Sequence, residues 1–81
     1  MKDYIKESMR IGFMIDRLVF DCTNKYGFNY QPHYVKLPMG IYHDLCPHPD
    51  VVVYKNKTME YHGLILCPTL KITSEDEIEV F

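Results

Sequence analysis

The chain has 81 residues, 47% of them hydrophobic and 25% charged, with nine Lys and Arg against eleven Asp and Glu for a net charge of −2. That length holds one domain and leaves no room for a second core, and the balanced composition excludes both wholesale disorder and a fibrous repeat. Without a basic excess there is no electrostatic footprint for nucleic acid or for an anionic membrane surface, so neither is expected as a partner.

Between Asp3 and Thr23 no proline interrupts the chain, and Tyr4, Ile11, Met14 or Ile15, Leu18 and Cys22 recur with helical spacing, with Phe13 and Phe20 widening the stripe. This predicts one long helix over about residues 3–23. Lys6, Glu7, Arg10, Asp16 and Arg17 fall mostly off the stripe. Asp3 is placed as a cap or first-turn acid, and Lys25 and Gly27 supply the cation and the glycine of a helix end. A helix of about twenty residues is about 30 Å long, enough to cross the whole domain.

Phe28 to His33 is aromatic but carries Asn29 and Pro32, which predicts an ordered connector. Tyr34-Val35-Lys36-Leu37 reads as a short strand. Pro38 then opens a two-turn helix over about residues 38–46, with the proline in the first helical position and Pro47 and Pro49 beyond its end. Val51 to Tyr54, the turn-like Lys55-Asn56-Lys57, and Thr58 to Cys67 read as a β-hairpin over about residues 51–67. Its second strand either bulges at Gly63 or passes there from an edge into the core, and it stops at Pro68. Ile78-Glu79-Val80-Phe81 alternates apolar and polar side chains, which predicts a terminal strand over about residues 77–81 with Ile78 and Val80 on one face. Together these elements predict an α+β fold, one long N-terminal helix packed on a small, mostly antiparallel sheet.

Cys22, Cys46 and Cys67 are an odd set in a short chain and read as reduced thiols, while Met1 to Glu7 alternate charged and apolar groups, unlike a signal peptide. A cytoplasmic protein is therefore expected. His43, Cys46 and His48 fall within six residues, and Cys67, with His62, comes from the hairpin. Two such pairs could complete a tetrahedral zinc site, although no Cys-x-x-Cys pair is present. A histidine-activated thiol, Cys46 with His43 or His48, or Cys67 with His62, would be the material of a small enzyme, but no nucleophile, oxyanion or phosphate-loop motif accompanies it. The simpler reading buries Cys46 and Cys67 as small hydrophobes and calls for no cofactor.

Seven tyrosines remain to be placed, more than a small core takes up, and tyrosine is enriched where proteins meet. Residues 74–81 hold Glu75, Asp76, Glu77 and Glu79 with no cation, a −4 segment beside a +2 remainder. The expected partner-binding surface is therefore Tyr54, Met59 and Tyr61 of the hairpin with Glu75, Asp76, Glu77 and Phe81. A core of this size is marginal, and a homodimer is a common remedy. The run Tyr61-His62-Gly63-Leu64-Ile65-Leu66-Cys67-Pro68-Thr69-Leu70, followed by Ile78-Glu79-Val80-Phe81, resembles small accessory proteins of tailed phages and prophages. That resemblance implies a protein of the host cytoplasm or the virion that acts by attaching to a virion or host protein, and it carries over no catalytic or binding residue. The expectation is a small non-enzymatic protein–protein interaction module. A zinc-stabilised binding module and a small thiol or histidine enzyme are the alternatives.

Overall fold

Helix α1 runs Tyr4–Tyr26 in the computed structural model, which describes residues 4–27 and 29–81. The expected cap Asp3 and Phe28 of the connector lie outside the described residues. The buried face of α1 is Ser8, Ile11, Gly12 and Ile15, a spacing of three and four that brings these side chains into one line. Ser8 is fully buried, and its hydroxyl donates to the Ile5 carbonyl at 2.7 Å. The sequence reading widens this stripe with Phe13 and Phe20 and heads it with Tyr4, but these three side chains are 69%, 64% and 61% exposed. The reason is angular: Phe13 lies about 200° round the helix from both Ile11 and Ile15, and Phe20 about 140° from Ile15. The helix continues three residues past Thr23 and stops where Gly27 turns left-handed, with φ of +97° and its N–H donating to the Thr23 carbonyl at 2.8 Å.

Strand β1 (Tyr34–Pro38) leads directly into helix α2 (Met39–Leu45). Pro38 keeps an extended backbone, with φ of −60° and ψ of 149°, and pairs with Thr69, so it caps α2 from outside instead of filling the first helical position. Strands β2 (Val51–Val53), β3 (Met59–Tyr61) and β4 (Leu64–Thr69) follow, then a 3-10 turn (Glu75–Glu77) and β5 (Glu79–Val80). Among the described residues these strands make one sheet in the order β2-β3-β4-β1-β5, with β1 and β4 parallel and the other pairs antiparallel.

Two features of the expected hairpin differ. Thr58 to Cys67 is not one bulged strand: the chain reverses at His62-Gly63, where φ is +49° and +82°, and Tyr61 pairs with Leu64 across the reversal. Positive φ at both central residues is the hallmark of the two-residue turn whose twist matches that of paired strands. Pro68 does not end β4 either, since the strand runs through it to Thr69. β3 pairs with Leu64 and Ile65 and no further, so along the rest of β4 a proline meets one neighbouring strand instead of two.

Alternation sorts the sheet into two faces. Val35, Leu37, Tyr61, Leu64, Leu66 and Val80 join Ile11, Ile15, Leu45 and Ile78 in one core beneath the helices. Ile78 and Val80 share that face, as their spacing requires. The described residues span 41 × 29 × 25 Å, and α1, at about 34 Å for its 23 residues, sets the long axis.

Candidate functional site

The second face of the sheet faces outward, and among the described residues no helix or strand covers it. Register places one residue from each of β2, β3, β4 and β1, and Phe81 just past β5, in a single row across it. Val52 stands opposite Glu60, Glu60 opposite Ile65, and Ile65 opposite Tyr34. Tyr34 and Phe81 exchange both backbone hydrogen bonds at 2.8 and 2.9 Å, and their rings stack with centroids 5.4 Å apart. Four of these five side chains are apolar or aromatic. Val52, Tyr34 and Phe81 are 40–49% exposed. Two charged groups on this face have partners within the chain: the Glu60 carboxylate accepts from the neutral Tyr54 hydroxyl at 2.9 Å and keeps its charge, and Lys36 faces Glu79 at 3.7 Å. An open strip of apolar and aromatic side chains around a single hydrogen-bonded carboxylate suits contact with another surface better than it suits water.

A second constellation lies at the opposite side, where α1 meets the β3–β4 turn. Gly12 is the close point: a Cβ built there would sit 2.6 Å from the Tyr61 hydroxyl and 2.8 Å from Nε2 of His48. With no side chain on α1 at that position, the edge of the buried His48 ring packs on Tyr61, centroids 4.8 Å apart. The Tyr61 hydroxyl donates to Oδ2 of Asp16 at 3.1 Å, and burial, then the Asp16 charge, push its pKa well above the ordinary tyrosine range. His62 stacks on Tyr61 at 4.0 Å, with Nδ1 3.0 Å from Oδ1 of Asp16 and Nε2 2.7 Å from Oδ2 of Asp50. The backbone N–H of Asp50 donates to Nδ1 of His48 at 3.0 Å, so the His48 ring proton sits on Nε2. A cleft of about 570 Å³ bounded by Thr23, Tyr30, Pro32 and His33 and a pocket of about 130 Å³ bounded by Met9 and Phe13 share Asp16 and His62 as walls.

The residues singled out from the sequence are scattered over this frame. Of the expected contact surface, Tyr54 and Phe81 flank the open face, whereas Tyr61 is 1% exposed and belongs to the core, and Met59 turns with it toward the helices, accepting from the Tyr42 hydroxyl. Both fall on the covered face because they stand opposite Val53 and Val51, one step out of phase with Val52. The acidic segment is not a free patch. Glu75 lies 2.5 Å from Nη2 of Arg10, which also binds Glu7, and this pairing holds the Glu75 carboxyl below its usual pKa. Asp76 and Glu77 are exposed on the 3-10 turn.

His43, Cys46, His48 and Cys67 do not converge. His43 packs edge-on against Tyr42, the Cys46 thiol donates to the Tyr42 carbonyl at 3.2 Å, His48 lies beneath α1, and Cys67 stands opposite Lys36 on the other sheet face. Among the described residues no group of three or more His, Cys, Asp and Glu side chains is arranged to hold a metal ion. The three cysteines are free thiols, and burial pushes the Cys46 thiol up. His62, weighed from the sequence beside Cys67, instead points its ring at Asp16 and Asp50. No described helix is long and apolar enough to cross a membrane.

No family model, curated protein or solved structure matches the chain.

Proposed function

We propose that the chain is a small non-enzymatic protein–protein interaction module that meets its partner through the bare face of the sheet. The observation that carries this reading is the row Val52, Glu60, Ile65, Tyr34 and Phe81, which crosses β2, β3, β4 and β1 and ends on the residue after β5, with four of its five side chains apolar or aromatic. Covering such a strip removes apolar area from water, and large aromatic side chains dominate the energetics of such contacts. Attachment to a virion or host protein, the mode of action implied by the likeness to phage accessory proteins, uses a surface of this kind, and so does pairing with a second copy.

Site-specific photo-crosslinking tests the reading in the native cell. A photoreactive residue in place of Ile65 is expected to yield a discrete adduct, whose mass distinguishes a second copy from a different protein. The same residue in place of Asn24, exposed on α1, is expected to yield none. Equal labelling from both positions, or none from 65, overturns it.

A further inference from the structure

We infer that His62 is a pH-dependent clasp that fastens the β3–β4 turn to α1 and to the loop before β2 in acid and releases it as the pH rises. Three elements meet at this ring. Asp16 comes from α1, Asp50 from the loop between α2 and β2, and His62 from the turn, so the two ring contacts join segments 46 and 12 residues apart. Each ring nitrogen faces a carboxylate oxygen, at 3.0 and 2.7 Å. Donating to both needs two N–H groups, which an imidazolium has and a neutral imidazole lacks. Loss of one proton therefore turns one of the two hydrogen bonds into a lone pair facing an anion.

The ring of the turn is held on several sides. A non-glycine residue in the left-handed region is uncommon, and at the first central position Asn, Asp and Gly lead, with histidine among the other types that tolerate it. His62 nonetheless takes φ of +49°, while Gly63 supplies the second positive φ freely. What holds His62 in place is its surroundings: the stack on Tyr61, whose hydroxyl grips the other oxygen of Asp16, and the edge of His48, 6.1 Å from the His62 ring and bonded to the Asp50 backbone. The charged and titratable groups facing His62 are thus Asp16 from α1, Asp50 and His48 from the loop, and Tyr61 from β3, with His33 of the connector across the cleft. The hydrogen bond to Asp50, assisted by Asp16 and opposed by partial desolvation, raises the His62 pKa above that of an ordinary histidine.

Release has a structural consequence. Asp16 and His62 line both the 570 Å³ cleft and the 130 Å³ pocket. Withdrawing the ring reshapes both at once, while Asp16 stays on α1. The clasp is a property of this end of the molecule and is independent of what meets the bare sheet face.

The test follows the ring and the turn together by NMR on the intact chain. The His62 Cε1–H resonance should titrate with a midpoint above that of an unstructured histidine, and Asp16→Asn and Asp50→Asn should each lower it. Amide-exchange protection at Leu64, corrected for intrinsic rates, should fall through the same midpoint, in total by about tenfold for each pH unit of elevation. His62→Asn places a turn-favouring residue at the position and should keep the turn closed with no pH dependence between 5 and 9. A His62 midpoint at or below the ordinary value, protection that ignores pH in the native chain, or a pH dependence that survives in His62→Asn overturns the clasp.

Discussion

At Gly12 the surface of α1 comes so close to Tyr61 and His48 that a single methyl group has no place: its position lies 2.6 Å from one and 2.8 Å from the other. Both neighbours are outer atoms of side chains, which in an exposed setting would swing aside. Here Tyr61 is 1% and His48 6% exposed, and each is tied further, Tyr61 to Asp16 and His48 to the Asp50 backbone. Gly12→Ala therefore opposes two effects. Alanine favours the helix by about 1 kcal/mol over glycine, while overpacking a tied core costs about 1–3 kcal/mol. The second wins in a site this constrained, so the variant should unfold at lower urea than the native chain, by a net of about 1 kcal/mol in equilibrium denaturation. A stabilised Gly12→Ala would mean that the two rings move easily. Nothing in the sequence marks this glycine, because a helix-interior glycine reads as a defect until the residue packed against it, 49 positions later, is known.

At the level of the element, α1 separates residues that look alike. Ile15 and Phe13 are both large and apolar, but Ile15 is fully buried and Phe13 stands 69% in water. Ile15→Ala should cost about 2–5 kcal/mol, since it removes buried methyl groups and leaves a cavity. Phe13→Ser should change stability by less than about 0.5 kcal/mol. Thermal unfolding of the two variants checks the contrast, and comparable losses would show that Phe13 is covered in solution. The helix itself is legible from its proline-free apolar period, β5 from the alternation of Ile78 and Val80, and the helix end from Gly27. The aromatic residues mislead because hydrophobicity counts a phenylalanine toward the stripe wherever it falls, whereas geometry admits only a narrow sector. The reversal at His62-Gly63 is hidden for a different reason: Asn-Gly would announce such a turn, and a histidine held there by distant carboxylates does not. The same distance hides the Asp16–His62–Asp50 contact, since no spacing motif joins residues that the fold alone brings together.

For the whole molecule, the groups displaced from their ordinary titration ranges define how stability depends on pH. Glu75 is held low by Arg10, so its contribution is complete above the unfolded carboxylate value, about 4.5, and is lost as the pH falls through its depressed folded value. His62 is raised, first by Asp50, so its contribution is complete below about 6.5 and is lost as the pH climbs through its elevated folded value. Tyr61 is raised by burial and by Asp16, so its neutral form stabilises the fold until the pH passes about 10, where the unfolded chain begins to gain by ionising. The three windows overlap between about pH 4.5 and 6.5, and the melting temperature should be highest there, decline gently through neutrality and fall more steeply above about pH 9, where Cys46 and Tyr42, both also raised by burial, add to the Tyr61 loss. Glu75 and His62 are both more than a third exposed, so their shares are small and screened by salt, while the Tyr61 share is not. Melting curves across pH for the native chain, Glu75→Gln and His62→Asn test each limb separately. Glu75→Gln should flatten the acid side alone, His62→Asn should flatten the decline through neutrality alone, and raising the salt should reproduce both changes in the native chain while leaving the alkaline fall in place. A native optimum above pH 8 would contradict the assignment of the neutral limb to His62.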